Sequence, residues 1–249
     1  MPQKAAEILK RLVRAAETVG FSHRIYGTTV TSDLIVLERP GKTDGPHIYV
    51  STGIHGDEPA GPETIFRLLE DSVCLPNANW TLFPLLNPEG YNLGVRENAD
   101  GLDLNRDYLH PTAPESTAHR AEIDMLGSQD LTLSLHEDWE SPGFYLYELN
   151  SSDINGLAQS ALEAVTREGP IDLSSRIDGR PAANGIVRGR SGPFDRRKDW
   201  PEQIYLFRTH TKICYTFETP STLPLEQRVR MHLAACRSAL GTFCRQWER

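Results

Sequence analysis

Short apolar runs alternate with segments of helical periodicity along most of this chain, and that alternation limits the folds open to it. Residues 47–52, 80–86, 131–135, 144–149 and 213–217 read as strands. Residues 62–72, 117–127 and 153–167 read as helices between or beside them. A strand pair is expected at 23–30 and 32–38, followed by the turn Pro40-Gly41-Lys42-Thr43-Asp44-Gly45-Pro46. The chain opens with a helix whose Ala5, Ile8, Leu9, Leu12 and Ala16 share one face, and closes with one carrying Leu225, Val229, Leu233, Cys236 and Leu240 on a stripe. Residues 91–116 and 169–205, rich in Gly, Pro and charge, read as long loops. Strands alternating with helices predict an α/β sandwich around a largely parallel sheet. With no repeat and no clear linker, residues 1–249 read as a single domain.

Composition removes several classes of function. A formal net charge of −8 argues against non-specific nucleic-acid binding, because phosphates demand a basic face. No apolar run approaches the ~20 residues of a membrane span. The first residues lack the apolar centre of a secretion signal, and Glu7 and Glu17 do not suit an acid-poor transit peptide. Cys74, Cys214, Cys236 and Cys244 are scattered, without a CxxC pair, as expected of reduced thiols. The cytoplasm is the expected compartment.

In sheets of this kind ligands collect at the carboxyl ends of the strands. Here those ends carry His55 and Glu58, Asn87, His136 and Glu218. His55 and Glu58 lie in the Gly-rich stretch STGIHGDEPAG, between an apparent strand and an apparent helix. An H-x-x-E spacing alone is weak evidence and also fits an ordinary polar turn. A second such pair, His119 and Glu122, falls mid-helix and reads as a solvated surface pair. Context separates the two. A catalytic zinc requires three protein ligands, His and carboxylate among them, and one open position. His136 supplies a third ligand from another strand end, although an isolated histidine there would read as a cap or core residue. Hydrolysis further requires a base, a cation for the developing oxyanion and groups that hold the substrate. Glu218 ends an apolar strand, and Arg96, Asn105 and Arg106 follow Asn87.

Together His55-Gly56-Asp57-Glu58, Asn87-Pro88-Glu89-Gly90, Arg96, Gly101-Leu102-Asp103-Leu104-Asn105-Arg106, Leu135-His136 and Phe217-Glu218 resemble the M14 zinc metallocarboxypeptidases, in the same order along the chain. The short bacterial branch that includes murein peptide amidases is similar in spacing too. The resemblance implies a three-layer α/β/α sandwich with a mixed, largely parallel sheet. It implies one Zn2+ ion held by His55, Glu58 and His136. Glu218 would be the general base and would pass the proton to the leaving amine. Arg96 would stabilise the oxyanion, and Asn105 with Arg106 would hold the free carboxylate of the released residue. Asp57 rivals Glu58 as ligand, but the family pattern selects Glu58 and leaves Asp57 to shape the loop.

Asp107 stands where the family carries a further Asn, and Glu137 and Asp138 directly follow His136. Two readings of this added negative charge stay open: attraction of a basic substrate group, or orientation of loops. Tyr205 is a candidate for a catalytic tyrosine. Among Arg188, Arg190, Arg196, Arg197 and Lys198, one is a candidate reader of an acidic substrate group. The expected activity is release of a C-terminal residue from a peptide or peptide-like substrate with a free carboxylate. Two alternatives use the same machinery: a murein peptide amidase cutting the γ-D-glutamyl–diaminopimelate bond, and an N-acyl amino-acid deacylase of the aspartoacylase or desuccinylase type. The deacylase branch usually carries an added C-terminal β domain, whereas the residues after Glu218 read mostly as one helix. A non-catalytic binding module is the remaining alternative, and the intact set of chemical residues weighs against it.

Overall fold

The computed structural model describes residues 4–71, 75–189 and 198–247. Its elements run α1 (Lys4–Thr18), β1 (Ser22–Thr28), β2 (Asp33–Arg39), β3 (His47–Thr52), α2 (Ala60–Glu70), β4 (Asn79–Phe83), α3 (Pro88–Leu93), α4 (Pro114–Leu126), β5 (Leu131–Asp138), β6 (Tyr145–Asn150), α5 (Leu157–Val165), β7 (Arg176–Ile177), β8 (Arg180–Pro181), β9 (Ile186–Arg188), α6 (Glu202–Thr209), β10 (Ile213–Pro220) and α7 (Leu225–Trp247). Among the described residues, eight strands form one sheet in the order β1-β2-β4-β3-β5-β10-β6-β9, and β7 pairs with β8 as a separate ribbon. The centre, β4-β3-β5-β10, is parallel, whereas β1, β2 and β6 join antiparallel. Two layers of helices cover this mixed sheet, as expected.

Alternation along the central strands sorts side chains into those two layers. Ile48 and Val50 of β3, Leu131, Leu133 and Leu135 of β5, and Tyr215 and Phe217 of β10 enter the larger core, with the buried stripes of α1, α2, α5 and α7. The buried residues of α1 are Ala5, Ile8, Leu9, Leu12 and Ala16, the face that periodicity marked out. Tyr49, Phe83 and Cys214 face the other way, against Ile123 of α4 and Tyr205 and Leu206 of α6. Ser134 and His136 of β5 therefore share the α4–α6 side with Glu218 of β10, because side chains repeat every second residue.

That second layer is unusually polar. Glu202, fully buried at the start of α6, accepts from Tyr49 Oη, from Ser51 Oγ at 2.9 Å and from Ser134 Oγ at 3.0 Å. Tyr49 Oη lies 2.9 Å from His119 Nε2, and Tyr108 Oη lies 2.6 Å from His119 Nδ1. Each of these named groups thus gains a partner, without which burial would cost about 1–3 kcal/mol per group.

Three segments differ from the sequence-based expectations. The 169–205 stretch contains β7, β8, β9 and the start of α6, instead of one long loop. The strands span only two or three residues, too few to show a period of two. Asn87-Pro88-Glu89-Gly90 does not merely end a strand, since Asn87 caps α3 by accepting from Gly90 N at 2.9 Å. His119 and Glu122 are buried, not solvated. Glu122 pairs with Arg24 of β1, which folds over α4.

Burial depresses the pKa of His119 to about 3, so the ring stays neutral throughout the native pH range. The unfolded chain binds a proton below about pH 6.5 that the native ring refuses, so stability falls as pH drops from about 6.5 toward 3. The slope from this residue approaches ~1.4 kcal/mol per pH unit. Denaturant midpoints of chelator-treated protein at pH 7, 6 and 5 test this. A His119→Gln variant, less stable at pH 7, is expected to show a shallower fall, and an unchanged slope would show that His119 contributes none of it.

Candidate active site

The loop after β3 must reverse tightly before α2 begins. Gly53 takes a positive φ of 63° at the strand's end, a conformation glycine adopts without steric cost. Gly56 packs so closely on α3 that a Cβ would lie 1.9 Å from the Gly90 carbonyl carbon. Asn87 reinforces the contact, its Nδ2 donating to the Ile54 and Arg96 carbonyls at 3.3 Å each. The loops after β3 and β4 are therefore stitched together, and Arg96 is drawn to the loop that carries His55 and Glu58.

His55, Glu58 and His136, all buried, converge with one donor atom each inside a 4.8 Å span. His55 Nδ1 lies 2.6 Å from Glu58 Oε1, and His136 Nδ1 lies 3.0 Å from Glu58 Oε2. The two Nδ1 atoms are 3.3 Å apart. Glu58 Oε2 is buried and faces the His136 ring nitrogen without a well-aligned hydrogen bond. Two imidazole nitrogens and a carboxylate turned toward one point are a donor set that zinc accepts, so these residues fit the ion the sequence implied. Asp57 is exposed and stands outside the cluster. His119 and Glu122 are likewise outside it, as expected.

Electrostatics around the donors are strongly coupled. Burial alone would raise the Glu58 carboxyl, but His55 and His136 hold it below its ordinary range. Burial works against a charged His55 ring, and Glu58 and Asp103 outweigh it, holding its pKa up at about 9. Asp103 had no assigned role in the sequence, yet its Oδ1 lies 3.3 Å from His55 Nε2. Engaging Nε2 leaves the Nδ1 lone pair for a metal, the arrangement by which an outer carboxylate sets a ligand's tautomer. The only signal for it was its place two residues before Asn105.

The neighbouring groups fall into distinct places. In the register of β10 on β5, Glu218 is the partner of His136, so both side chains rise from the same sheet face beside each other. Burial pushes the Glu218 carboxyl above its ordinary value, and Glu58 and Asp138 add to this against the opposing pull of His136 and Arg96. Arg96 donates from Nε to Asp103 Oδ2 at 3.1 Å, and its Nη1 lies 3.3 Å from His55 Nδ1. This half-exposed cation thus borders the donor cluster. Asn105 points its Oδ1 at Glu202 N, 2.9 Å away, which fixes the direction of its amide nitrogen. Arg106 is exposed, donates to the Asn105 carbonyl at 2.7 Å, and lies 3.4 Å from Asp199.

Other candidates lie elsewhere. Tyr205 is buried between α6 and α4, where its hydroxyl donates to Asp124 and the Arg120 guanidinium sits 4.8 Å from its ring centroid. It packs the helical layer instead of facing the donors. Arg188 pairs with Glu148 at 2.8 Å. Lys198 is exposed, and Arg190, Arg196 and Arg197 lie outside the described residues. Of the added acids, Asp107 accepts from Thr112 N at 2.8 Å and Ala113 N at 2.9 Å, so it orients the entry to α4. Glu137 pairs internally with Arg228. Only Asp138 remains half-exposed near Glu218, accepting from Tyr145 Oη at 3.0 Å.

Known proteins resemble this chain in sequence and in fold. Residues 44–165 match the succinylglutamate desuccinylase/aspartoacylase catalytic domain. Carboxypeptidase SOL1 of Arabidopsis thaliana is 32% identical over 85 residues, covering 29% of this chain and 17% of that protein. Carboxypeptidase Z of Mus musculus is 30% identical over 130 residues, covering 41% of this chain and 20% of that protein, so the matches span a fifth or less of these relatives. A candidate metallopeptidase from Shewanella amazonensis superposes with a TM-score of 0.80 at 27% identity, over 96% of this chain and 91% of that one. A metallo-carboxypeptidase from Pseudomonas aeruginosa, solved with (2-guanidinoethylmercapto)succinic acid, superposes with a TM-score of 0.69 at 21% identity, over 94% and 67% of the two chains. The chain is therefore similar to the desuccinylase/aspartoacylase catalytic domain over residues 44–165 and shares its overall fold with metallopeptidases of the carboxypeptidase type.

His136→Ala is expected to lose bound zinc on dialysis, whereas His119→Ala retains it; metal analysis of both variants checks the ligand set. Asp103→Asn is expected to weaken zinc binding about 10–100-fold, measured by chelator competition. Unchanged affinity would show that Asp103 does not orient His55.

Proposed function

We propose that this chain is a zinc-dependent metallocarboxypeptidase that hydrolyses the amide bond joining a C-terminal residue with a free carboxylate. The reading rests above all on the pairing of Glu218 with His136, which sets a carboxylate beside the His55–Glu58–His136 donors. Zinc held there would supply Lewis-acid polarisation of the scissile carbonyl. Glu218 takes a proton from the attacking water and gives it to the leaving amine. Its raised proton affinity suits both transfers, since a general base works best with a pKa near the working pH. Arg96 faces the developing oxyanion, and Asp103 keeps its guanidinium in place. Arg106 meets the substrate carboxylate from the open side, and the oriented amide of Asn105 donates beside it. That contact rewards a free carboxylate and leaves an internal peptide bond without it.

The match over residues 44–165 favours a second reading, deacylation of an N-acyl amino acid. The same donors, base and arginines serve that reaction, because its product also bears a carboxylate next to the new amine. A murein tripeptide is a third substrate with the same end group. Incubating the zinc-loaded protein with ordinary peptides, a murein tripeptide and N-succinyl and N-acetyl amino acids, read by mass spectrometry, separates the three. Stepwise C-terminal trimming of ordinary peptides supports the carboxypeptidase reading, and C-terminal amidation of the same peptides should abolish it. Cleavage confined to the acylated amino acids overturns it in favour of a deacylase. Glu218→Gln is expected to keep zinc and lose about 10²–10⁴-fold in turnover. Near-normal turnover in that variant would remove Glu218 from the role of base.

A further inference from the structure

Helix α2 begins directly behind the ligand Glu58, yet its N-cap, Pro59, makes no side-chain capping bond. Its first amide, Ala60 N, instead donates at 2.6 Å to Oε1 of Glu137, a residue 77 positions along the chain. Glu137 immediately follows the ligand His136 at the end of β5. One carboxylate therefore spans from a position next to one ligand to a position two residues beyond another. Its second oxygen accepts from Nη1 of Arg228 on α7, and the Glu137 side chain is fully buried while that of Arg228 is 12% exposed. One turn further along α7, His232 Nε2 lies 3.0 Å from the carbonyl oxygen of His136 and 3.2 Å from Thr219 Oγ1. Helix α7 thus grips the ends of β5 and β10 at the two residues flanking the ligand and the base.

A buried ion pair gains little stability over well-packed apolar side chains of the same size, because desolvation offsets the attraction. Stability is therefore a poor reason for this pair, and its position supplies another. We propose that Glu137 is a positioning residue for the metal centre. By capping α2 through Ala60 N it fixes the Glu58 loop relative to His136, and Arg228 pairs with the other carboxylate oxygen. This rests on the assignment of His55, Glu58 and His136 as zinc ligands. Outer groups that orient ligands contribute about 10–100-fold to metal affinity, and that is the effect expected here.

Removing one partner alone would strand a buried charge, so the test uses paired substitutions. Glu137→Gln with Arg228→Met keeps an oxygen for Ala60 N and discards both charges. Glu137→Leu with Arg228→Met discards the cap as well. Zinc affinity is measured by chelator competition on each protein, with circular dichroism and melting of the metal-free forms as folding controls. The Gln–Met protein is expected within about threefold of the wild type, and the Leu–Met protein about 10–100-fold weaker. A distant core substitution, Leu162→Ala, should lower the melting temperature without moving zinc affinity. Equal affinities in the wild type and both paired variants overturn the proposal, as do equal losses in both paired variants. A wild-type chain that binds no zinc would instead overturn the ligand assignment itself.

Discussion

The parallel pairing of β3, β5 and β10 is the constraint on which everything else depends. Thr52 pairs with Leu135, and His136 pairs with Glu218, so the three strands reach their carboxyl ends almost level. A slip of one residue in β5 would turn His136 into the apolar layer occupied by Leu133 and Leu135. Because Leu131, Leu133 and Leu135 pack against the helices of that layer, the hydrophobic core itself holds His136 on the opposite face. Burial of leucine on one side of a strand thereby places chemistry on the other.

That chemical face requires compensation below the surface. Ser51, Ser134, Tyr49 and the buried Glu202 form a hydrogen-bonded layer directly under the donors, and His119 and Tyr108 extend it toward α4. Glu202 also presents its backbone amide to Asn105. Burial raises the Glu202 carboxyl, while donated hydrogen bonds from Tyr49 and Ser51 work to keep it ionised. The polar layer is coherent because each member satisfies another, and an incomplete network there would be worse than an apolar one.

Acidic residues near the site divide by what they meet. Asp103 meets His55 and Arg96, Glu137 meets Ala60 and Arg228, and Asp107 meets the first turn of α4. Counted from the sequence they form a negative surround that could attract a basic group. In the fold, Glu137 and Asp107 are taken up by orienting neighbours, and Asp138 alone keeps a half-exposed carboxylate beside Glu218. On the proposed reading, the charge a substrate meets is therefore set more by Arg96 and Arg106 than by a tally of acids.

The layered α/β architecture, the buried face of α1 and the grouping of His55, Glu58, His136 and Glu218 at strand ends can all be read from the order of residues alone. These are legible because periodicity and strand termination are local properties, carried within a few residues. The short strands β7, β8 and β9 and the helix α6 were hidden, being too brief or too polar to leave a period. Folding in three dimensions was needed to pack Tyr205 into a helix layer, to make His119 a neutral core residue, and to bring Glu202 beneath the site. The same folding lets Glu137 cap a helix whose first amide is 77 residues away. Each of those outcomes depends on a partner remote in sequence, and the burial of a polar side chain is defined by what folds over it.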